Sequence, residues 1–125
     1  MEEKIENSLK ILINKSASQE KSILASVDFI KTIENMNLKK ACFLITDLIF
    51  KEKITNNISN FEATFNIIDF DYLLYGLHKI YCFILSKIKL TSKEKQRIVH
   101  IINNFANDYA SLNGSIHIHE IISLF

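Results

Sequence analysis

A chain of 125 residues with no proline and only two glycines, Gly76 and Gly114, lacks the residues that make tight hairpins and sharp loop reversals. Glycine supplies positive φ and proline pre-sets φ for turns, so an all-β sandwich or a glycine-punctuated nucleotide-binding fold would have to do without its usual punctuation. Helices need neither residue. Hydrophobic side chains make up 48% of the chain, enough to line several amphipathic helices around one core, and the length fits a single cooperative unit. The expectation is therefore an all-α fold, a compact single-domain bundle of six to seven helices spanning 1–125.

Helical spacing places the elements. Ile5, Leu9, Leu12 and Ile13 share one face of a first helix ending near Lys15, with acids at its start to suit the positive end of the helix dipole. Ser16 and Gln19 have capping-box spacing, which predicts a second helix carrying Ile23, Val27, Ile30 and Ile33 inward. Asn37 caps a third, whose inner stripe is Leu38, Ala41, Cys42, Ile45, Leu48 and Ile49, with Phe43, Leu44 and Phe50 widening it. The polar run from Lys53 to Asn60 reads as a connection, followed by a short helix at about 60–67, although the alternation of Ala63 to Ile67 also fits a strand. Asp69 or Asp71 caps a long apolar helix through Leu73, Leu74, Leu77, Ile80, Tyr81, Ile84 and Ile88. Thr91 and Glu94 form the clearest capping box; that helix points Ile98, Ile101, Ile102, Phe105, Tyr109 and Leu112 inward and stops at Asn113-Gly114 in a left-handed turn. Ile118, Ile121, Ile122 and Phe125 make a last short helix.

Fifteen basic residues against fourteen acidic ones leave a formal charge of +1, far from the basic stripe of a dedicated nucleic-acid binder, so nucleic acid is not the expected partner. Lys87, Lys89, Lys93, Lys95 and Arg97 do cluster, but among interleaved polar residues they read as a solvated face. Ala41 to Phe50 is about half the roughly 20 residues a membrane span needs, and the acidic start lacks the positive region of a secretory signal. A soluble, cytoplasmic protein is expected. Cys42 and Cys82 sit in apolar runs, where thiols pack as small hydrophobes.

Catalytic and metal patterns are scarce. His117, His119 and Glu120, with His100, form the one cluster resembling metal ligands. On a strand His117 and His119 would share a face and could share an ion, whereas on the helix expected here they point about 200° apart and cannot. Neither a metal nor another cofactor is expected. Arg97 and His100 invite comparison with HEPN ribonucleases, but the spacing is shorter than that motif, and Ile98 stands where a polar residue is required. No enzymatic activity is expected.

A binding surface stands out instead. Between residues 54 and 86 Lys79 is the only cation, against Glu62, Asp69 and Asp71. There Asp69, Asp71, Tyr72 and Tyr75 combine acids with tyrosines, which offer large contact area at low entropy cost. Glu62, Asp69, Asp71, Tyr72 and Tyr75 are the candidate partner-binding residues.

In size, helicity and its isoleucine-, asparagine- and lysine-rich composition, the chain resembles bacterial immunity proteins, which neutralise a cognate toxin. The resemblance implies a stoichiometric inhibitor occluding the active site of a toxin domain with a basic surface, such as a nuclease. Two other readings stand beside it. One is a viral Bcl-like protein presenting a groove to an amphipathic helix, although the asparagine-tryptophan-glycine-arginine segment of that family is missing. The other is a nucleic-acid-binding accessory subunit using the Lys87 to Arg97 cluster.

Overall fold

A computed structural model describes residues 2–15, 18–53 and 67–125. Its elements are α1 (Glu2–Lys15), α2 (Gln19–Ile33), α3 (Leu38–Thr46) running on into a π-helical segment (Asp47–Lys53), α4 (Ile67–Lys87), α5 (Ser92–Asp108), a 3-10 turn (Ala110–Leu112) and α6 (Ile116–Ser123). There is no strand among the described residues. All six α-helices contribute to one hydrophobic core, so the fold is an all-α bundle.

The inner stripes of α1, α3 and α4 follow their spacing. Ile5, Leu9 and Leu12 are buried, as are Leu38, Ala41, Cys42, Ile45, Leu48 and Ile49 and, on α4, Leu73, Leu74, Leu77, Ile80, Tyr81 and Ile84. Asn37 caps α3 by accepting the Lys40 amide at 3.1 Å. The π-helical winding that follows turns less per residue than an α-helix. Three successive side chains, Leu48, Ile49 and Phe50, thereby reach the core. Phe50 meets the ring of Phe105 edge-on at 5.5 Å, and Phe70 packs on the same ring at 5.6 Å.

A polar chain runs through this apolar interior. The Thr46 hydroxyl donates to the Cys42 carbonyl at 2.8 Å, and Tyr81 places its hydroxyl 2.7 Å from the same Thr46 oxygen. With its proton given to Cys42, the threonine accepts from Tyr81. All three residues are wholly buried. Burial pushes the Cys42 thiol up to about 12, with the Glu94 charge adding to the shift. The Tyr81 phenol is also raised, chiefly by burial, against the opposing hydrogen bond to Thr46.

Four expectations are corrected. First, α2 starts at Gln19, with Ser18 as the cap, accepting the Lys21 amide at 3.3 Å; Ser16 lies outside the described residues. Second, the inner face of α2 is Ser22, Ala25, Ser26, Phe29 and Ile33, while Ile23 and Val27 are exposed and Ile30 is half-buried. The reason is close packing on α4. A Cβ added at Gly76 would lie 3.2 Å from the Ser22 carbonyl oxygen, so the helices approach at the small residues of α2, Phe29 and Ile33 fill the core beyond them, and Ile23 and Val27 turn outward. Third, neither Asp69 nor Asp71 caps α4, because the helix already runs from Ile67; Asp69 falls in its first turn and Asp71 in its second. Fourth, α5 ends at Asp108. Tyr109 (φ −120°, ψ 78°) breaks the helix, a 3-10 turn brings Leu112 onto the core, and Gly114 does not take positive φ. A tilted contact between the Tyr109 and Phe105 rings, 5.0 Å between centres, accompanies the break.

The Thr91–Glu94 capping box forms in full, with bonds of 2.9 and 3.2 Å. Ile118 and Ile121 of α6 are buried as their spacing requires. The short helix expected at about 60–67 and most of the connection from Lys53 to Asn60 lie outside the described residues, apart from Lys53, which ends the π-helical segment, and Ile67, which opens α4. No described helix is long and apolar enough to cross a membrane.

Candidate protein-binding surface

The core stripe of α4 leaves the opposite side of the helix for polar residues. Asp71, Tyr75 and His78 follow at i, i+4 and i+7, with Tyr72 and Lys79 beside them; all but the exposed Lys79 are partly buried. Onto this side folds α6. Its cap, Ser115, accepts the Ile118 amide at 3.4 Å and donates its hydroxyl to the Asp71 carboxylate. One side chain thus starts α6 and ties it to α4.

The tie brings His117 into the group. Its Nε2 lies 3.6 Å from Asp71 Oδ2 and its Nδ1 3.6 Å from Glu120 Oε2, ion-pair distances for a protonated ring but too long for hydrogen bonds. Nδ1 is buried without a hydrogen-bond partner among the described residues. The ring meets Tyr75 edge-on at 5.1 Å, and the Lys79 ammonium lies 5.4 Å from the centre of the Tyr75 ring. Aromatic, acidic and cationic groups therefore meet on one face built from α4 and α6.

Of the residues singled out by sequence, Asp71, Tyr72 and Tyr75 lie on this face. Asp69 is in the first turn of α4, and Glu62 lies outside the described residues. Part of Asp71 is spent holding Ser115, so it is a structural residue as well as a candidate contact. Sequence reasoning missed His117 and Glu120 as members, because their nearness to Asp71 depends on the turn ahead of α6.

Also missed is His78 beside Cys82, although their i, i+4 spacing puts them on one face. The thiol sulfur lies 3.8 Å from each ring nitrogen. Burial foremost lowers the His78 pKa, with Lys79 and His117 acting the same way against the raising effect of Glu120. Burial foremost raises the Cys82 thiol. Both shifts oppose a thiolate–imidazolium pair, so the two groups meet as neutral partners.

The other clusters disperse. On α6, His119 turns away from His117 and donates to the Asn113 carbonyl, and on α5 His100 accepts from Asn104 at 3.1 Å. Among the described residues no three His, Cys, Asp or Glu side chains are placed to hold a metal ion. Within the basic cluster, Arg97 lies over the Phe43 ring at 5.0 Å. It borders a surface depression of about 400 Å³ that also has Lys39 and Asp47 in its wall, and Lys39 pairs with Glu94 at 3.2 Å. No family model, curated protein or solved structure matches this chain.

Proposed function

We propose that this protein acts by binding another protein, as a stoichiometric inhibitor of the immunity-protein kind, and that it docks through the face built by α4 and α6. The observation that supports the reading is the gathering of Asp71, Tyr72 and Tyr75 with Glu120 and His117 on one side of the bundle. Tyrosines there supply contact area, and the carboxylates suit a basic cleft such as a nuclease active site. The charges mainly speed encounter and set specificity, while the aromatic rings carry affinity.

The test is recovery of the partner with the tagged protein at 0.5 M salt, where the Debye length of about 4–5 Å screens weak surface pairing, followed by affinity measurement on variants. Tyr72→Ala is the cleanest, since Asp71 and Tyr75 also hold α6. It is expected to weaken the complex by about 1–2 kcal/mol with unchanged helicity. A stoichiometric toxic partner bound as tightly by Tyr72→Ala and by Tyr75→Ala would move the docking face elsewhere. Absence of any retained partner would remove the inhibitor reading.

A further inference from the structure

We infer that the outer face of α2 is the docking site for a second copy of this chain, seated as an antiparallel α2-on-α2 pair about a two-fold axis. The face is apolar where a surface helix should be polar: Leu24 is 61% exposed, Val27 44% and Ile23 38%, with half-buried Ile30 beside them. It lies opposite the buried face of α2, whose Ser22 meets α4 at Gly76. A groove between α1 and α2, about 400 Å³ in volume and walled partly by Lys21, Leu24 and Asp28, continues it toward α1.

The arrangement of charges selects the occupant. Glu20, Leu24, Val27 and Lys31 follow at i, i+4, i+7 and i+11, so they lie along one line of the helix within about 60° of one another. The acid stands at one end of this line, the base at the other, and the apolar residues between them. A two-fold axis crossing the helix midway between Leu24 and Val27 sets Glu20 against the partner's Lys31 and Leu24 against the partner's Val27, each pair occurring twice. The flanks agree. On one edge the exposed Lys21 falls beside the partner's Asp28, and on the other Ile23 falls beside the partner's Ile30. Antiparallel helices also oppose their dipoles favourably. A parallel pair would instead align Glu20 with Glu20 and Lys31 with Lys31. The stripe is thus complementary to itself under the symmetry that closed dimers use.

At 15 residues, α2 is about 22 Å long. One helix pair of that length gives an interface at the small end of the specific range, so the dissociation constant is expected to be on the order of 100 µM. The experiment is sedimentation equilibrium of the whole chain from about 10 µM to 1 mM in low salt, where exposed charge pairs are least screened. Glu20→Lys and Lys31→Glu, each placing like charges together twice, are expected to raise the dissociation constant about tenfold, and the double exchange to restore it to within about threefold. Leu24→Asp with Val27→Asp is expected to leave a helical monomer, since both side chains are exposed. A wild-type monomer at about 1 mM would overturn the inference and leave the face to a different protein. A dimer indifferent to Glu20→Lys and Lys31→Glu would overturn it as well, placing the contact elsewhere.

Discussion

Removing Thr46 costs more than its size suggests, because of what it leaves behind. In the core, Tyr81 donates to Thr46, which in turn donates to the Cys42 carbonyl. Tyr81→Phe takes away one buried hydrogen bond but orphans no donor, since Thr46 keeps its carbonyl acceptor; the expected loss is about 1 kcal/mol. Thr46→Val keeps the shape and strands the Tyr81 hydroxyl, which is wholly buried, at an expected cost of about 2–3 kcal/mol. With Tyr81 already phenylalanine, the valine strands nothing. The double variant should therefore lose little more than Tyr81→Phe alone, and fall short of the summed single losses by about 2 kcal/mol. Urea unfolding of the four proteins, followed by far-UV circular dichroism with a common slope, measures all corners of the cycle. Additive losses to within about 0.5 kcal/mol would refute the argument, as would a Thr46→Val variant no less stable than Tyr81→Phe.

Three further outcomes follow from the packing and the titrating groups. Gly76→Val should cost about 2–3 kcal/mol in urea unfolding, because a Cβ there is already 3.2 Å from the backbone oxygen of Ser22 and the branched carbons come closer still. His78 takes up its proton below its ordinary value of 6.5 in the folded state, while the unfolded chain protonates near that value. Its contribution to stability is therefore complete above 6.5 and declines as the pH falls from there toward the lowered folded pKa; His78→Asn should flatten the profile in that window, and the imidazole titration followed by NMR gives the folded midpoint. Glu94 is held below its ordinary 4.5, first by its bond to the Thr91 amide, so its stabilisation is full above 4.5 and lost as the pH drops through the depressed value. Glu94→Gln should remove that part of the acid dependence, measured as the pH profile of the urea midpoint.

Periodicity made most of the bundle legible. Where a helix has one apolar stripe, as α1, α3 and α4 do, burying it is the dominant favourable term and only one orientation does so. The Thr91–Glu94 capping box and the Asn37 cap are equally local, since each needs only residues three apart. The end of α5 was not legible, because a helix continued to Leu112 and a 3-10 turn that puts Leu112 on the core satisfy the same residues. The binding face was visible on α4 alone: Asp71, Tyr72 and Tyr75 belong to one run of sequence, whereas His117 and Glu120 join them through a tie that spans 44 residues, from Asp71 to Ser115.

By itself, then, the sequence determined an all-helical fold, most helix positions, the Asn37 and Thr91 caps, and the inner faces wherever a single stripe was available. The tertiary structure decided which face of α2 went inside. That helix has one stripe of Ile23, Val27 and Ile30 and another of Ser22, Ala25, Ser26, Phe29 and Ile33, the second small only in its first half, where counting hydrophobicity favours the first. Gly76 tips the choice: it opens a place on α4 where the backbone at Ser22 can come close, and small side chains fit there while Phe29 and Ile33 fill the core further along α2. Shape complementarity between segments some 50 residues apart is a property of the pair, so neither stretch of sequence carries it alone.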